Sequence, residues 1–89
     1  MPYIKQEERE ELEAVLSALL TRTVHQPVGT QNFVITTIIS EWLETQGVNY
    51  TNINAAIGVF ECAKQELYRR KAVPYEADKI EQNGDVYYP

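Results

Sequence analysis

Leu12, Val15, Leu16, Leu19 and Leu20 recur at steps of 3, 1, 3 and 1 residues. These steps follow the 3.6-residue turn of an α-helix and put all five side chains on one face. The pattern predicts an amphipathic helix over residues 6–23. Glu7, Glu8, Glu10 and Glu11 crowd its first turns, where they meet the positive end of the helix dipole and also repel one another. The run should end in a loop near His25-Gln26-Pro27-Val28-Gly29, because Pro27 lacks an N–H and Gly29 permits a turn.

The same period continues downstream. Phe33-Val34-Ile35-Thr36-Thr37-Ile38-Ile39 is rich in β-branched residues, which favour strands. Yet Ile35, Ile38, Ile39, Trp42 and Leu43 keep helical steps and strict alternation is missing. The spacing therefore predicts a helix over 31–46, with Thr30 as its cap and Gly47 ending it in a left-handed conformation. Ile53, Ala56, Ile57, Phe60, Ala63 and Leu67 predict a third helix over 52–71, capped by Thr51 or Asn52 and stopped by Pro74. Glu66 should pair with Arg70 one turn on. Gly58, beside Ala55 and Ala56, reads as a place where helices two and three approach closely. In the tail, residues 74–89, a short helix or turn fits 76–82. Asn83-Gly84 signals a turn, and Asp85-Val86-Tyr87-Tyr88 reads as extended and paired with Pro2-Tyr3-Ile4. The fold class expected is all-α: one domain over residues 1–89, three helices and a short C-terminal appendage.

At 89 residues such a domain has a small core, and small domains often rely on a disulfide, a metal or a partner subunit. A lone Cys62 excludes an internal disulfide, and with His25 as the single histidine no structural zinc site can be assembled. A homo-oligomer is the remaining aid, and the rich apolar face of helix two, with Phe33 and Trp42, exceeds what so small a domain can cover. The net charge of −5 argues against duplex nucleic acid, whose binding needs phosphate-neutralising cations. No apolar run approaches the ~20 residues of a membrane span, and the polar, acidic start is unlike a secretory leader. The expected compartment is the cytoplasm.

Several of these segments carry a resemblance: Met1-Pro2-Tyr3-Ile4-Lys5-Gln6, Asn32-Phe33-Val34-Ile35-Thr36, Ile53-Asn54-Ala55-Ala56-Ile57-Gly58-Val59-Phe60-Glu61-Cys62, Glu66-Leu67-Tyr68-Arg69-Arg70 and Asn83-Gly84-Asp85-Val86-Tyr87. Together they resemble a family of short proteins of unassigned function found in bacteriophages, prophages and some bacteria. The resemblance implies a viral or prophage origin and brings no catalytic residue with it. Small phage accessory proteins often act by binding, so sequestering a host factor or a defence signal is the expectation it raises.

The residues themselves offer one candidate binding cluster. Arg69, Arg70 and Lys71 close the third helix, with Tyr68, Tyr75, Tyr87 and Tyr88 in the same part of the chain. The plainer reading is that the cations complement the negative helix terminus. The functional reading is an anion site, since a guanidinium fork suits phosphate and tyrosine rings stack on a nucleobase. On that reading Tyr68, Arg69, Arg70, Lys71, Tyr75 and Tyr87 bind a small phosphorylated ligand, and losing both arginines abolishes binding. The alternative is a protein-binding inhibitor that presents the acidic first helix to a host protein. An enzyme ranks last. Pairs such as Glu61 and Glu66, or Glu41 and Glu44, read as solvated surface. His25 lacks a nucleophilic partner, and Cys62 reads as a small buried hydrophobe. No glycine-rich phosphate loop exists, no cofactor is implied, and no metal ligand set is found.

Overall fold

The structure, a computed structural model, describes residues 4–87. The protein is all-α: 85% of the described residues are helical and no strand is present among them. Helices α1 (Gln6–Thr23), α2 (Val28–Gln46), α3 (Tyr50–Leu67) and α4 (Val73–Asn83) follow in order, with a π-helical segment, Tyr68–Ala72, joining α3 to α4. The chain divides into two compact units, Met1–Val48 and Asn49–Pro89.

In the first unit, the Glu8 carboxylate accepts the Lys5 backbone N–H at 3.3 Å and so closes the start of α1. At its other end the Thr23 hydroxyl donates to the Leu19 carbonyl. The connecting loop is held by Gln31, whose side-chain amide donates to the carbonyls of Thr23 and Gln26. The β-branched run 33–39 lies inside α2, so the helical period of the apolar residues prevails over their strand propensity.

Helix α2 begins at Val28, three residues before the spacing predicts, and Thr30 does not cap it. Pro27 takes the N-cap position at φ −64°, an angle its ring already enforces. Its carbonyl accepts the N–H groups of Thr30 and Gln31. Gly29 and Thr30 therefore belong to the first helical turn. Gly47 ends α2 at φ 110°, ψ 132°: a positive φ, as expected of glycine, but with an extended ψ.

In the second unit the cap of α3 is Asn49, upstream of the expected Thr51 or Asn52. Its side chain accepts the Asn52 N–H at 2.9 Å. Ala56, 5% exposed, is the one buried side chain among the described residues. Nothing lies within 4 Å of a Cβ built on Gly58.

Pro74 does not stop the helix. The backbone widens ahead of it, with the Val73 N–H reaching back five residues to the Tyr68 carbonyl, and α4 carries Pro74 in its first turn. Proline in a regular helix collides with the carbonyl four residues earlier and leaves it without a donor. A wider turn in front of it relieves both problems. Helix α4 ends on Gly84 at φ 84°, so the Asn83-Gly84 signal marks the end of a helix. The expected pairing of Pro2-Tyr3-Ile4 with Asp85-Val86-Tyr87-Tyr88 falls in part on residues 2, 3 and 88, which lie outside the described residues.

Candidate ligand groove at the π-helical turn

An α-helix aligns side chains three and four residues apart along one ridge. Lys64, Tyr68, Lys71 and Tyr75 keep such steps across α3, the π-helical segment and α4. The π turn takes in one more residue than an α turn. The regular ridge is therefore interrupted between Tyr68 and Tyr75. A groove of about 440 Å³ lies here, lined by Lys64, Leu67, Tyr68, Lys71, Ala72 and Tyr75. That volume is in the range of small-molecule sites, which combine apolar walls with a few placed polar groups.

The walls are Leu67, Ala72 and the two tyrosine rings, and the charges are two lysines. Tyr68 is oriented from outside: its hydroxyl lies 3.4 Å from both carboxylate oxygens of Glu76. The Tyr75 ring has the Lys79 ammonium 5.5 Å from its centroid, a cation–π distance that favours an electron-rich ring face. Lys64 lies 3.3 Å from Glu61. Lys71 pairs with no carboxylate among the described residues, so its charge is open to a ligand.

The six expected site residues are thus divided. Tyr68, Lys71 and Tyr75 share the groove. Arg69 and Arg70 both turn to Glu66, at 2.7 Å and 3.1 Å. The Arg70 pair is the one its spacing predicts, and Arg69 joins it. Tyr87 lies apart in a second hollow of about 380 Å³ near Lys79, Ile80 and Val86, and its backbone N–H donates to the Asp85 carboxylate at 2.9 Å. Lys64 and Leu67 were missed by sequence reasoning. The available signal was their place one turn before Tyr68 and Lys71.

Glu66 is held below the ordinary glutamate pKa by hydrogen bonds from Arg69 and then Arg70. Glu61 is lowered by the Gln65 amide and by Lys64. Both carboxylates are therefore ionised and engaged, the opposite of a general acid, whose pKa must be raised. Cys62 is exposed, not buried among apolar neighbours. His25 is exposed in the α1–α2 loop.

Residues 1–86 match the model of one protein family, described as a domain of unknown function (DUF6899). No curated protein matches the chain, and no solved structure does.

Proposed function

We propose that this chain, which belongs to the DUF6899 family, is a non-enzymatic binding protein that sequesters a small anionic ligand carrying an aromatic ring, of the nucleotide type. The observation that carries the reading is Lys71: a cation with no carboxylate partner among the described residues, in an apolar-walled groove between two tyrosines. An ammonium without a counter-charge attracts phosphate, and Tyr68 and Tyr75 offer faces for a base to stack on. In a phage or prophage setting, such a protein removes a nucleotide signal on which host defence depends. The refinement over the sequence reading concerns the cations: Lys71 and Lys64 contact the ligand, while Arg69 and Arg70 stay on Glu66.

A thermal-shift screen of linear and cyclic nucleotides tests this. A compound at about 100 times its Kd stabilises by about 2.7 kcal/mol, which raises the Tm of a chain this small by roughly 10 °C or more. The shift should vanish in Lys64→Ala/Lys71→Ala and persist, reduced, in Arg69→Ala/Arg70→Ala. No shift with any nucleotide would contradict the reading.

The second reading is a protein-binding inhibitor, and one observation favours it. Glu7, Glu8, Glu10 and Glu11 are all exposed on the first turns of α1. A surface of that charge steers towards a basic partner. Reversing those four charges should then weaken a host-protein complex and flatten its salt dependence, while leaving nucleotide binding intact.

A further inference from the structure

We propose that Glu76 is a positioning residue of the candidate groove: it holds the Tyr68 ring in place for stacking without touching the ligand. The proposal rests on the nucleotide-type reading of that groove and adds a residue that governs ring recognition. Every residue it uses belongs to one compact unit, Asn49–Pro89. The two aromatic walls are steadied in different ways. Tyr75 has the Lys79 ammonium 5.5 Å from its ring centroid, an ordinary contact between side chains one turn apart on α4. Tyr68 opens the π-helical segment, and its hydroxyl lies 3.4 Å from both carboxylate oxygens of Glu76. These two residues are eight apart in sequence, about twice the step between neighbours on a regular helix ridge. The π-helical turn and Pro74 stand between them. Their contact therefore ties the start of the turn to α4.

Glu76 does not line the groove. It lines the second hollow and reaches a ring bound in the groove through Tyr68. A stacking surface that is already fixed spares the ligand the cost of ordering that side chain on binding. Two other roles are open to Glu76, and each predicts a different response. As an acidic residue in the first turn of α4 it complements the helix dipole, a role that depends on its charge and acts on stability. As a negative charge near an anion site it repels phosphate, so its removal would tighten binding. The positioning role depends instead on the acceptor oxygen that meets the Tyr68 hydroxyl, and losing that oxygen weakens binding.

Calorimetric titration of the full chain with adenosine monophosphate, guanosine monophosphate and cyclic adenosine monophosphate tests the proposal, with the Tm of each ligand-free variant measured alongside. Glu76→Ala should weaken the tightest of these nucleotides by about fivefold or more. Tyr68→Phe keeps the ring and drops the hydroxyl, so it should weaken binding by a similar factor. The double variant should lose no more than either single one, because both remove the same contact. Glu76→Gln retains an acceptor oxygen and should bind within about twofold of wild type, even where its Tm falls with the lost charge at the start of α4. No saturable binding of any of these nucleotides by the wild-type chain would overturn the nucleotide-type reading and this inference with it. Three results would overturn the inference alone and leave that reading intact: Glu76→Ala that binds unchanged or tighter, losses in Glu76→Ala and Tyr68→Phe that multiply in the double variant, or Glu76→Gln that loses as much as Glu76→Ala.

Discussion

At the scale of single residues, three side-chain environments make distinct predictions. Gly58 sits inside α3 with open space where a Cβ would be. Gly58→Ala should therefore stabilise the protein by about 0.5–1 kcal/mol through the unfolded chain's lost freedom, and raise the Tm by roughly 2–8 °C. A lowered Tm would instead favour the close-approach reading of that glycine. Asn49 caps α3 with its side chain, so Asn49→Ala should cost about 1 kcal/mol, read as a lower urea midpoint. Glu66 gives a pH dependence whose sign follows from its depressed pKa. Its contribution to stability is fully present above the unfolded-state value of about 4.3. It is lost as the pH falls through the lower folded value. Glu66→Gln should remove that acid-side loss from a urea-midpoint series without changing the neutral-pH side in the same sense. The contribution is small because the pair is open to solvent. These residue environments were partly legible in the sequence. The Glu66–Arg70 spacing is visible there, but a carboxylate choosing two arginines at once is a matter of rotamers. The cap of α3 depends on backbone angles at Asn49 that no spacing records.

At the scale of elements, the apolar period placed three helical stretches and overrode the β-branched run in α2. It could not see the π-helical turn. Five residues are too few for hydropathy to separate a four-residue reach from a five-residue one, and Pro74 carries the ordinary meaning of a stop. The candidate groove lies at that turn, where Tyr68, Lys71 and Tyr75 stand with Lys64 and Leu67, which the sequence reading had not grouped with them. Arg69 and Arg70 were grouped with them by adjacency alone, and neighbours in sequence are not neighbours on a helix surface. Pro74→Ala removes the reason for widening. The segment should relax to a regular α-helix, with helical content unchanged or raised in far-UV circular dichroism. The groove should become shallower, and nucleotide affinity should fall by at least about tenfold, or ~1.4 kcal/mol. Unchanged affinity in a regular helix would mean that the groove owes nothing to the π turn.

At the scale of the whole molecule, the composition of an ordinary globular protein coexists with a surface that leaves nearly every large apolar side chain at least partly in water. The surplus of apolar residues on helix two is legible in the sequence, but what covers it is not, because burial is a property of neighbours and cannot be counted along a chain. No helix among the described residues is long and apolar enough to cross a membrane, so insertion as a spanning helix does not account for the exposed faces.

The claim on which the functional account turns is that a nucleotide-type anion is held at the π-helical turn by Lys64 and Lys71 against Tyr68 and Tyr75. The most direct test is a two-dimensional amide NMR titration of the full chain with the nucleotide that shifts its Tm most. The account predicts saturable perturbations concentrated in residues 64–75 and lost together in Lys64→Ala/Lys71→Ala. Perturbations centred instead on the second hollow near Tyr87, or on the acidic turns of α1, would contradict it.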